Sequence, residues 1–195
     1  MKAPMTVIHL SAPAVLKLTT DGALPTRVEG VAYSGGIVPT LGVVIDLATT
    51  TIADRLPLLH EHSREAIIGA ITKATITGGA LLVEGKLFSD IPGGHAEKIA
   101  QLAQRGAPFQ MSVGLYNFSE EIVAAGRSVT VYGATVAGPV TVLRRGTVRE
   151  VSLVTLGADP GAVAKLFGAG VKEPTPLSAQ SIFARRARQA AGFGR

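Results

Sequence analysis

The sequence predicts a mostly β chain, an α+β fold in which short strands form a barrel or sandwich beside a minor helical part. Three observations carry this. A series of β-rich runs separated by glycine turns stretches from Arg27 to Leu156. Hydrophobic residues make up 47% of the chain but aromatic ones only 5%, so the core must be built from Val, Leu, Ile and Ala. One window alone has clear helical spacing, which argues against alternating β-α units.

In chain order, Val28–Tyr33 opens the strand series, and Gly42–Leu47 follows the Ser34-Gly35-Gly36 turn. Ile67–Thr77 and Ala80–Phe88 flank Gly78-Gly79, a hairpin signal. Phe109–Phe118, Ser128–Val136 and Thr147–Leu156 complete the set. Pro92-Gly93-Gly94 introduces the helix and Gly106-Ala107-Pro108 ends it, with Ala96, Ile99, Ala100, Leu102 and Ala103 at helical spacing between them. Gly161–Phe167 is a second, shorter helical expectation. Pro174 and Pro176 read as a linker, and Ser178–Ala190 as a tail helix with Ser178 at its N-cap.

A chain of 195 residues is one domain with a tail, here divided as 1–168 and 169–195. The absence of cysteine excludes disulfides, Cys-ligated zinc and a thiol nucleophile, and is compatible with a reducing cytoplasm. Neither a signal peptide nor a membrane span is expected, because the apolar runs are broken well before about 18 residues. The net charge of +5 is concentrated in residues 172–195, where Lys172, Arg185, Arg186, Arg188 and Arg195 oppose Glu173. Such a tail suits an acidic partner or nearby nucleic acid, or is simply a solvated end; no specific nucleic-acid partner is expected.

Three segments place chemically competent side chains inside apolar runs: Leu58–Ser63 with Gly69, Gln110–Leu115, and Arg149–Val154. Period-two alternation sends Phe109, Met111, Val113 and Leu115 into a core and Ser112, Gly114 and Tyr116 to the opposite face. Gly114 would there leave room for a backbone or substrate. His60 and His62 share a face if the segment is extended. They can then be packing residues, a metal pair completed by Asp46, Asp54 or Asp90, or a source of a general base. Glu150 shares a face with Val148, Ser152 and Val154 by the same alternation. Among aliphatic neighbours it needs a partner: a histidine, or one of Arg144, Arg145 and Arg149 if it faces solvent. His9 reads as structural, and His95, at the helix start, as solvent-exposed.

Taken jointly, the three segments resemble the prohead (capsid-maturation) serine proteases of tailed bacteriophages. The family pattern is an apolar run into a histidine with a glycine several residues on, then an "S-[IVL]-G-[FLY]" strand, then an "E-[VA]-S-[LV]-V" strand and a Pro/Ala turn. These stand here as Leu58-Leu59-His60-Glu61-His62 with Gly69, Met111-Ser112-Val113-Gly114-Leu115, and Glu150-Val151-Ser152-Leu153-Val154 with Ala158-Asp159-Pro160. The resemblance spans residues 27–168. It implies an assemblin-like β-barrel with flanking helices, Ser112 as nucleophile, His62 (rather than His60) as base, and Glu150 as the orienting acid. Gly157 and Ala158 are the oxyanion candidates, since the arginines that assemblin carries in that loop are missing. Ser63 also departs from the family, where many members have aspartate. No cofactor or metal is implied. The implied substrates are the major capsid protein and scaffold inside an assembling procapsid in the host cytoplasm, and by analogy the chain forms a homodimer. Two rivals remain: a non-catalytic, scaffold-like capsid protein that keeps the barrel, and a metal hydrolase using His60 and His62.

Overall fold

Alternating apolar residues and glycine-bearing turns do produce a β-rich fold, in which a sheet curls into a half-barrel. The structure is a computed structural model and describes residues 8–12, 24–159, 161 and 163–168. Its strands are β1 (Ile8–Ala12), β2 (Pro25–Tyr33), β3 (Val43–Ile45), β4 (Thr51–Ile52), β5 (Leu56–His60), β6 (Ser63–Thr77) and β7 (Ala80–Leu87). After helix α1 (His95–Gln104) come β8 (Gln110–Tyr116), β9 (Ser119–Val123), β10 (Ser128–Val131), β11 (Ala134–Ala137), β12 (Val140–Arg144), β13 (Thr147–Val154) and β14 (Val163–Gly168).

The main sheet runs β1-β8-β13-β5-β6-β7-β2-β14, with β4 also pairing β13. Its ladders are antiparallel except where β13 meets β4 and β5. The curl brings β2 and β14 toward β8 and encloses one main core. Met111, Val113 and Leu115 line it from β8, Val148, Val151 and Leu153 from β13, and Leu58 from β5. The β6–β7 hairpin turns at Gly78 and Gly79, both at positive φ, as its sequence predicts. Gly69 lets β6 cross close to β7, since a Cβ there would lie 2.0 Å from the Lys86 carbonyl oxygen.

The α1 helix packs against β6 and β2. Ala96, Ile99, Ala100 and Ala103 form its buried stripe at i, i+3, i+4 and i+7. Leu102 does not belong to it: it falls off that stripe and is 38% exposed. A second sheet, β3-β12-β9, builds a small valine core with the β10–β11 hairpin from Val44, Val123, Val131, Val140 and Val142.

Two expected elements are corrected. Ser128–Val136 is not one strand but the β10–β11 hairpin, which turns at Tyr132 and Gly133, both with positive φ. The expected helix at Gly161–Phe167 is instead β14, paired antiparallel with β2. A short apolar run has no length to favour helix over strand, and β2 offers a ladder that satisfies its backbone. The expected tail helix at Ser178–Ala190, like the whole of 169–195, lies outside the described residues.

Candidate active site

The site is built on one face of β8 and β13 and on the turn that joins β5 to β6. Ser112 stands directly opposite Ser152 across the β8–β13 ladder, and Gly114 opposite Glu150. Simple alternation would not achieve this. Val148 pairs with Leu115 but Glu150 pairs with Gly114, so a β-bulge at Arg149 absorbs one residue. The bulge leaves Val148 with Val151 and Leu153 in the core, while Glu150 and Ser152 turn to the opposite face. The expectation that Glu150 and Val148 share a face is therefore corrected. Arg149 stays outside, its guanidinium 5.6 Å from the centre of the Tyr116 ring.

His60 and His62 part company for a related reason. His60 pairs with Leu153 in the β5–β13 ladder and with Ser63 in the β5–β6 hairpin. Glu61 and His62 form the turn, at φ 50° and 58°. This left-handed stretch breaks the alternation. His60 stays on the face of Leu58, its ring centre 6.2 Å from that of the exposed His95. His62 swings to the other face, where its Nδ1 lies 2.7 Å from Glu150 Oε1. The two histidines thus do not share a face as an extended segment would have it. Of the carboxylates weighed as completing a metal pair, Asp46 is ion-paired with Arg144, and Asp54 and Asp90 are exposed. Among the described residues no group of three His, Cys, Asp or Glu side chains gathers as a metal site.

Glu150 is buried, 3% exposed, and its carboxylate is satisfied on both oxygens. Oε1 meets the His62 ring, and Oε2 accepts from Ser152 Oγ at 2.8 Å. Burying a carboxylate without such partners would cost several kcal/mol, on the order of 3–5 when one partner of a buried pair is removed. The carboxylate selects the imidazole tautomer with hydrogen on Nδ1, which leaves the lone pair on Nε2. Gly114 makes the arrangement possible. A Cβ there would lie 2.2 Å from Glu150 Oε1 and 2.8 Å from its carboxyl carbon. The space expected for a substrate or backbone is filled by the acid's own side chain.

The turn is fastened to β13 at several points. Glu61 N donates to the Leu153 carbonyl at 3.0 Å, and His62 N to Ser152 Oγ at 3.2 Å. Glu61 Oε1 accepts from Thr155 N at 2.6 Å and Thr155 Oγ1 at 2.7 Å. Non-glycine residues in the left-handed region cost roughly 1–2 kcal/mol each, and these bonds hold two of them there. Sequence reasoning gave no part to Ser152, Glu61 or Thr155. Ser152 had a signal, since it lies two residues beyond Glu150 and so on its face.

Ser112 is fully buried, and its Oγ has no hydrogen-bond partner among the described residues. It is not bonded to His62 in this structure. The segment after β13 is tied to the turn at Ser34–Thr40: Ala158 O accepts from Thr40 Oγ1 at 3.4 Å, and buried Asp159 accepts from Ser34 N and Ser34 Oγ, both at 2.7 Å. These bonds fix the backbone that carries Gly157 and Ala158.

Two outcomes follow. Replacing Gly114 by Ala should push the Glu150 carboxylate off His62 and destabilise the fold by about 1–3 kcal/mol in urea unfolding; a crystal structure of that variant with the 2.7 Å contact intact would contradict the packing argument. For His60, burial lowers the pKa below the usual 6.5, with Glu61 opposing and His95 and Lys98 adding to the depression. The folded chain therefore takes up this proton at lower pH than the unfolded chain does. The stability linked to His60 is complete above about 6.5 and is lost as pH falls through its folded pKa. His60→Gln should flatten that part of the Tm–pH curve, and an NMR titration midpoint for His60 at or above 6.5 would contradict the assignment.

Comparison of the chain with protein-family models, curated proteins and solved structures finds no match.

Proposed function

We propose that the chain is a serine endopeptidase of the phage prohead-protease type, with an assemblin-like barrel, acting on major capsid protein and scaffold during procapsid assembly in the host cytoplasm. The observation that carries this reading is the buried 2.7 Å contact between His62 Nδ1 and Glu150 Oε1, on the sheet face and adjoining strand of an unpartnered serine hydroxyl. A histidine bound at Nδ1 by a carboxylate and presented beside a serine is the acid–base part of a nucleophilic site.

In the proposed reaction Ser112 Oγ attacks the scissile carbonyl while His62 Nε2 takes its proton. Glu150 stabilises the imidazolium, which then gives the proton to the leaving amine. Water enters, gives a proton to the same nitrogen as it attacks the acyl carbon, and that proton passes to Ser112 Oγ as the acyl–oxygen bond breaks and the acid product leaves. Gly157 and Ala158 backbone N–H groups are the proposed donors to the oxyanion. The Ser112–His62 bond is not formed in this structure, so substrate must bring hydroxyl and ring within about 3 Å, as apo sites commonly require. Confinement in a procapsid would raise the effective concentration of enzyme and substrate and compensate for low affinity. Homodimerisation and docking of the basic tail on capsid or scaffold belong to the same proposal. Among the described residues no helix is long and apolar enough to cross a membrane.

The enclosure of Ser112 favours one other reading, a barrel kept as a non-catalytic capsid-assembly protein. Co-expression with its capsid protein distinguishes them. Ser112→Ala should leave the chain folded and reduce capsid-protein cleavage by at least about 10³-fold, whereas normal maturation with that variant would refute the nucleophile assignment.

A further inference from the structure

The face that carries Ser112 holds a second buried serine, and the two hydroxyls are in opposite situations. Ser152 lies directly across the ladder from Ser112, and both are fully buried. A serine hydroxyl has one proton to donate and two lone pairs. Ser152 spends its proton on Glu150 Oε2 at 2.8 Å and accepts the His62 backbone N–H at 3.2 Å. The proton of Ser112 meets no acceptor among the described residues. Ser152 is thus committed to holding the pair, while Ser112 is uncommitted.

We infer that Ser152 is the positioning residue of this site: one oxygen atom couples the carboxylate rotamer of Glu150 to the backbone of His62. The inference rests on the proposed protease reading for its catalytic meaning, but its geometry stands independently. The ring of His62 leaves the chain at a left-handed residue, φ 58°. Its direction therefore depends on what holds that backbone in place. The Glu150 carboxylate has two oxygens, and a bond to Oε1 alone leaves rotation about the carboxyl bond open. The Ser152 hydroxyl closes both freedoms at once. It forms a ring through the Glu150 carboxyl, the His62 imidazole and the His62 N–H, with β13 as its rigid side. The Glu61–Thr155 bonds pin the neighbouring residue of the turn to the same strand end. Ser152 touches neither attacking nor leaving atoms in the proposed reaction; it acts through its two partners.

The test is a long-range ¹H–¹⁵N spectrum of the His62 imidazole in the full chain, recorded beside the rate of capsid-protein cleavage. The unaltered protein should show His62 as the single tautomer protonated on Nδ1. Ser152→Ala should show a mixture of the two neutral tautomers and a fall in cleavage rate on the order of 10²-fold, the loss that a displacement of about 1 Å brings to a catalytic group. Ser152→Cys nearly preserves the packing but weakens both bonds. It should give the same mixed spectrum, and serves if the alanine variant fails to fold. A folded Ser152 variant with an unchanged His62 spectrum overturns the inference, whatever its activity. Tautomer mixing in the variants together with no cleavage by the unaltered chain sinks the protease reading and leaves the positioning role in place.

Discussion

The contact between His62 and Glu150 is the constraint around which this half of the molecule is organised. A carboxylate buried on the sheet face, 3% exposed, is tolerable only with partners on its oxygens. Three local departures from regular β structure supply them. The bulge at Arg149 turns Glu150 out of the core side of β13. The glycine at 114 vacates the volume that the carboxylate occupies. The left-handed turn at Glu61–His62 carries an imidazole across the sheet. None of these serves packing alone. The bulge costs ladder bonds and the turn costs backbone strain, and the convergence of all three on one 2.7 Å bond gives them a common explanation.

That convergence also shows where the amino-acid sequence could be read and where it could not. The core face of β8 follows from strict alternation through Met111, Val113 and Leu115, and the α1 stripe from its 3.6-residue spacing. The Gly78-Gly79 hairpin is visible because glycine is the residue such turns require. The face of Glu150 was not legible by alternation, since a bulge shifts the period without a distinctive residue type. The separation of His60 from His62 was hidden for the same reason: Glu61 and His62 adopt a turn normally announced by Asn or Gly. Tertiary bonds to Ser152, Leu153 and Thr155 hold it, and these come from about 90 residues away in the chain. The residues alone left histidine and arginine both open as partners of Glu150, and only the resemblance of three motifs taken together singled out the histidine. The strand at Val163–Gly168 was missed because its partner, β2, is equally remote.

The state of Ser112 gives the site its functional tension. Carboxylate and imidazole are held together and clamped to β13, while Ser112 lies across the ladder from Ser152, enclosed and unbonded. A hydroxyl with no acceptor in a buried place is a small reservoir of unfavourable free energy, on the order of 1–3 kcal/mol. Engagement by the His62 ring would relieve it. On the proposed reading, the step that opens this face to a peptide also completes the site, which would confine proteolysis to the setting that causes the opening.

Reaction of the intact chain with a fluorophosphonate, followed by peptide mass mapping, tests the account most directly because two buried serines face each other across one ladder. The account predicts an adduct on the peptide bearing Ser112, formed more slowly once Glu150 is replaced by Gln. An adduct on Ser152, or none under conditions that label other serine hydrolases, would contradict it.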